Sequence, residues 1–219
     1  LRRLVRTPPI WGALALVLVT ALVTATVLTM RGDADAAPPL PLRIAVVGGY
    51  ETVGTQNLVV WPTLLAQQTG WAVSNSALPD AGYVADGRGG YAFTYQVDRA
   101  LAGDPDIVLV VGGSSDAGTD PERVDHGITE VLGKLDRSGV RTLVIGPTWY
   151  ETPVPDAIAR LATAIGDGAD AAGLSFCDAL DPPWLTPDLM RSDDTGPTDA
   201  GQAVLADRIA AWLHTEVDT

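Results

Sequence analysis

The chain has 219 residues, with 27 acidic against 14 basic side chains and a formal net charge of −13. An acidic balance of this size argues against nucleic acid or an anionic membrane surface as a partner. One cysteine, Cys177, excludes an intrachain disulfide and a cysteine-type zinc site, and two histidines, His126 and His214, give no basis for a histidine-rich metal centre. No cofactor or metal is expected.

Residues 1–9 carry Arg2, Arg3 and Arg6 and read as a basic cytoplasmic terminus. Residues 10–30 are 21 positions without a charge. A bilayer core takes ~20 apolar helical residues. A transmembrane signal anchor is expected there, with the following domain outside the cytoplasm by the positive-inside rule. The alternative is a secretory signal cleaved near Ala36, at Ala34-Asp35-Ala36; against it, the apolar run exceeds the roughly 7–15 residues of a signal core. Residues 31–41, rich in Ala and Pro, read as a short stiff linker. One domain is expected over 42–219. All 27 acidic residues and ten of the basic ones lie beyond Arg31, so this part carries about −17. Most of that charge reads as a solvated surface.

Strands are expected at 44–47, 72–76, 107–111, 142–145 and 174–177. Helices are expected at 60–69, 91–102, 121–137, 156–165 and 199–213. Three of the strand segments are continuous apolar runs, as parallel strands buried on both faces require. The alternation predicts an α/β fold: a three-layer α/β/α sandwich around a parallel, flavodoxin-like five-stranded sheet. Ligands in such folds bind beyond the carboxyl ends of the strands. That edge carries 48–54, 75–82, 112–118 and 146–149.

Four blocks on that edge resemble a known family. Gly48-Gly49-Tyr50-Glu51-Thr52-Val53-Gly54 has the frame of the Gly-Asp-Ser-x-x-x-Gly block of SGNH (GDSL-type) hydrolases. Asn75-Ser76-Ala77-Leu78-Pro79-Asp80-Ala81-Gly82-Tyr83 is similar to the segment that supplies an oxyanion-hole glycine. Gly112-Gly113-Ser114-Ser115-Asp116 resembles the Gly-x-Asn-Asp block, and Asp193-Asp194-Thr195-Gly196-Pro197 the Asp-x-x-His-Pro block. The blocks occur in family order, each in its strand or helix context. The resemblance implies an SGNH-hydrolase-like fold over most of 43–213, and an ester-hydrolase ancestry.

It also implies a catalytic set that this chain does not carry. Tyr50 stands in place of the serine nucleophile, Asp80 in place of the glycine, Ser115 in place of the asparagine and Gly196 in place of the histidine. Asp193 is retained, and Gly82 is the fallback for the glycine if the loop is shifted by two. Ester hydrolysis needs a nucleophile, an imidazole base, its orienting carboxylate and oxyanion donors. A phenol has a pKa of ~10 and is a poor nucleophile without activation. The expectation is a catalytically inactive member of the fold with a binding or scaffolding role at the cell envelope. Its partners would be a glycan, an acyl ligand or a protein, met in a cleft of Gly49, Tyr50, Glu51, Asp80, Gly82, Ser114, Ser115, Asp116, Asp193 and Asp194. The alternative is an active esterase or acetylhydrolase with Thr52, Ser114 or Ser115 as nucleophile and His126 as base. A nucleotide-binding α/β protein is disfavoured, because neither Gly-rich turn has a dinucleotide or Walker pattern or a basic residue.

Two side readings remain. Glu51, Asp80, Asp116, Asp193 and Asp194 could gather oxygen ligands for a hard cation, although turn carboxylates more often cap helices or face water. Trp61, Trp71, Trp149, Tyr150 and Trp184 could include an aromatic rim, although each taken singly reads as ordinary packing.

Overall fold

The computed structural model describes residues 40–217 except Tyr91 and Asp194. The chain divides into two units, Leu1–Leu40 and Pro41–Thr219, and the second holds the fold. The expected terminus and anchor at 1–30, and nearly all of the linker at 31–41, lie outside the described residues. Among the described residues no helix is long and apolar enough to cross a membrane.

Five strands form one parallel sheet: β1 (Arg43–Gly48), β2 (Ala72–Asn75), β3 (Ile107–Val111), β4 (Arg141–Ile145) and β5 (Ser175–Cys177). Their order is β2-β1-β3-β4-β5. β1, β3 and β4 are runs of aliphatic residues because both their faces are covered. Alternate side chains feed two cores. Ala45, Val47, Val108, Val110 and Val144 face α3 (Phe93–Leu101), α4 (Pro121–Ser138) and α5 (Asp156–Ala171). Ile44, Val46, Ile107, Leu109 and Ile145 face α2 (Trp61–Thr69) and α6 (Asp199–Val217). The three-layer α/β expectation holds. The chain leaves β1 toward β2 on one side and returns through β3 on the other, so the sheet opens a crevice between the carboxyl ends of β1 and β3.

Helix ends follow local chemistry. At the start of α4 the Asp120 carboxylate accepts from the Glu122 and Arg123 amides at 3.1 and 3.3 Å, with Pro121 in the first turn. The same helix stops at Gly139, whose φ of 70° is the left-handed cap.

The strand expectations agree to within a residue at each end, but two helices run longer. α5 continues six residues past the expected end at 165. At Gly166 and Gly168, within this extension, the Phe176 ring and the Ile128 side chain crowd the space a Cβ would need. The glycines are close-packing positions inside a helix. α6 likewise continues to Val217. The helix expected over 91–102 runs from Phe93 to Leu101, and Tyr91 lies outside the described residues.

Candidate ligand cleft

Directly after β1 the chain makes a single helical turn, α1 (Tyr50–Val53), closed by Gly54 at φ 69°. This turn is held from three directions. The Asn75 amide at the end of β2 donates to the Thr52 carbonyl at 3.2 Å. Gln202 of α6, wholly buried, donates to the Glu51 carbonyl at 3.0 Å and accepts from the Trp61 amide at 2.8 Å. Gln96 of α3, also wholly buried, accepts from the Gly48 amide at 3.0 Å. The turn is therefore a fixed platform.

Tyr50 projects from that platform into a cavity of about 610 Å³, open to solvent. Its ring packs against Gly196: a Cβ on that glycine would lie 3.5 and 3.7 Å from Cδ2 and Cε2 of Tyr50. Gly196 has φ 134°, a conformation that favours glycine. A Cβ at 196 would thus be in ordinary contact with the Tyr50 ring. Tyr50 does not fill the cavity, which Asp80, Ser114, Ser115 and Trp149 also line.

The remaining expected cleft residues sit elsewhere. Glu51 is 1% exposed, beneath the floor, with its carboxylate where a Cβ on Gly112 would be. Gly112 has φ 88°, so the backbone passes over the carboxylate without a side chain. Neither Glu51 oxygen has a hydrogen-bond partner among the described residues. Burial pushes its pKa up to about 7, opposed only by the weak pull of its own backbone amide.

Asp116 is also buried. It accepts from the Tyr83, Val84 and Ala85 amides, the first at 2.6 Å and the last at 2.7 Å. Burial raises its pKa against the lowering pull of those three donors. A Cβ on Gly82 would strike this carboxylate, and the Gly82 amide donates to Ala85 O at 2.9 Å. Gly82, the fallback for the oxyanion glycine, therefore has its amide engaged inside the loop. Asp80 carries φ 59°, and its carboxylate accepts from Arg88 Nε at 3.0 Å on the exposed rim. Asp193, exposed, accepts from the Thr195 hydroxyl at 2.7 Å and the Thr195 amide at 3.2 Å, and these bonds lower its pKa. Asp194 lies outside the described residues.

These placements correct the cation reading. The four described carboxylates are dispersed onto an apolar slot, three amides, an arginine and a threonine, and no three metal-ligating side chains gather among the described residues. The base expected in the relocated-catalyst alternative lies away from this cavity. His126 lines a separate hollow between α3 and α4 with Thr94 and Glu130, and His214 packs on Trp71 at 5.0 Å. Thr52 is fully buried and lines no part of the cleft. Of the tryptophans, Trp61 and Trp184 belong to the core under α2 and α6. Trp149, stacked on Tyr150 at 5.3 Å, lines the cleft.

Sequence reasoning missed Thr55, Arg88 and Thr195 as cleft residues. Arg88 carried a signal: one of few bases in an acidic domain, set in the Gly-rich run 87–90 after the second block. Thr55 and Thr195 carried none, and meet only because the first and last blocks come together, with the Thr55 hydroxyl donating to Thr195 O at 3.1 Å.

The crevice at the β1/β3 switch, with the four blocks around it, defines an SGNH-type α/β fold. The profile of the GDSL-like lipase/acylhydrolase family matches residues 45–204, and the chain belongs to that family. It is 31% identical over 190 residues to GDSL lipase Rv0518 of Mycobacterium tuberculosis, covering 80% of this chain and 82% of that one. Among solved structures it resembles a lipolytic protein of the G-D-S-L family from Desulfitobacterium hafniense, with TM-score 0.64 and 18% identity over 77% of this chain and 97% of that one. It also resembles the psychrotrophic esterase EstA of a Pseudoalteromonas species, with TM-score 0.65 and 16% identity over 81% and 100% of the two chains. At those identities the structural likenesses speak for the fold.

Proposed function

We propose that this chain is a non-hydrolytic member of its family that uses the retained cleft to bind a ligand at the cell envelope. The observation that carries this reading is the Tyr50 ring lying against Gly196 at the mouth of an open cavity. A phenol stands where the family places its nucleophile, and no imidazole lines the cavity among the described residues. Loss of a single oxyanion donor costs ~10²–10³ in rate, and loss of nucleophile or base costs more. The retained Asp193 is turned onto Thr195 and orients no base. The cleft is open, with a volume of about 610 Å³, and α1 is braced by Asn75 and Gln202. A disused site would be under no demand to stay open in this way.

The same reading places the domain outside the cytoplasm, tethered by the apolar segment 10–30. Protease added to intact cells should then remove the domain and leave a small membrane-bound fragment.

Covalent labelling tests the chemistry. A serine-directed alkyl phosphonate should add no mass to the chain while labelling an active relative to completion. Stoichiometric labelling at Ser114 or Ser115 would refute the reading.

A further inference from the structure

Resting on the non-hydrolytic reading, we propose that the cleft ligand is an uncharged sugar ring, presented as part of an oligosaccharide. Two aromatic side chains line the cavity from separate elements, Tyr50 on α1 and Trp149 after β4. The Trp149 indole is fixed by its stack on Tyr150, with 24° between the planes. Four hydroxyl-bearing residues, Thr55, Ser114, Ser115 and Thr195, also line it. A pyranose offers the matching surface: a C–H face that packs on aromatic rings and a rim of hydroxyls that both donate and accept.

Other ligand chemistries fit less well. An acyl chain needs a largely apolar lining, and here hydroxyl-bearing and charged residues make up much of it. An anion needs an uncommitted cation, but Arg88 donates to Asp80 at 3.0 Å. A cation needs an uncommitted carboxylate, and Asp80 is the one acidic side chain lining the cavity among the described residues. The Asp80–Arg88 pair, exposed at the rim, is suited to hydrogen-bond neighbouring sugar hydroxyls with both its signs. Ser114 Oγ and Trp149 Nε1, on residues of the cavity wall, are themselves buried without a hydrogen-bond partner among the described residues. About 610 Å³ holds a short stretch of saccharide, within the ~300–1,000 Å³ usual for ligand clefts.

Calorimetric titration of the full chain in lipid nanodiscs tests this, with maltohexaose, cellohexaose and chitohexaose as probes. Sodium dodecanoate and inorganic phosphate serve as the acyl and anion arms. At least one oligosaccharide should bind saturably with Kd of about 1 mM or tighter, and Trp149→Ala should weaken it by about tenfold or more. Arg88→Ala, at an exposed position, should weaken it severalfold, and it carries the test if Trp149→Ala fails to fold. Saccharide binding that neither variant alters, no saccharide binding up to about 10 mM, or binding of dodecanoate or phosphate alone would overturn the proposal. Absence of saccharide binding without ester turnover removes the sugar and leaves the non-hydrolytic reading. Turnover of an acylated saccharide removes the non-hydrolytic reading and leaves the sugar.

Discussion

Glu51 sits one residue from the tip of the cleft and has no charged neighbour among the influences on its pKa. The folded state keeps it protonated up to about pH 7, against an ordinary value of 4.5. The folded pKa is the raised one, so the folded chain binds more protons than the unfolded chain between those limits. Stability is therefore highest below about pH 4.5 and falls as pH rises through about 7, by roughly 3 kcal/mol for this one group. Glu51→Gln should remove that slope: the difference in urea midpoint between parent and variant should grow from pH 5 to pH 8 in favour of the variant. A constant difference would mean that Glu51 ionises freely in the fold. Tyr50 and Gly196 form the other residue-scale pair. Tyr50→Ser restores a hydroxyl without a base, and Gly196→His meets both the Tyr50 ring and a φ of 134°. Each single variant should hydrolyse p-nitrophenyl acetate no faster than the parent, and a clear gain by either would show that an unrecognised base reaches the cleft.

At the scale of elements, two buried polar side chains position the cleft. Asp116 fastens the loop 83–85 through three amides, and Gln202 fastens α1 and α2 to α6. Asp116→Ala would leave three amides without their acceptor. It should cost about 2–4 kcal/mol of stability and speed amide exchange in that loop. Exchange unchanged there would show that the loop holds itself. These anchors also mark the limit of what sequence makes legible. The third block put Asp116 at the ligand edge, and it is at that edge in chain order. Its carboxylate turns inward because the chain passing overhead at 83–85 lacks other acceptors, a tertiary fact absent from local spacing. Glu51 was invisible for a similar reason: an acidic residue in a turn reads as solvated, and only Gly112 crossing above it creates the slot. The strands were legible almost to the residue, because burial on both faces writes continuous apolar runs into the chain.

Across the whole molecule the two cores meet at the sheet, and the carboxyl ends of β1 and β3 are held apart where the cleft forms. Leu109, fully buried in the central strand, should cost about 2–5 kcal/mol on truncation to alanine, read as a lowered urea midpoint with unchanged slope. The chain has the fold of its GDSL-like lipase/acylhydrolase family, and the proposed loss of hydrolysis rests on Tyr50 and Gly196 standing at the positions matched by resemblance to the family's nucleophile and base. The central claim is that the fold serves binding without ester hydrolysis. Its most direct test is the rate of acetate and butyrate p-nitrophenyl ester hydrolysis by the full chain, alongside Tyr50→Ala and Ser115→Ala. The account predicts a rate equal to buffer for all three. Turnover by the parent that either substitution abolishes would contradict it.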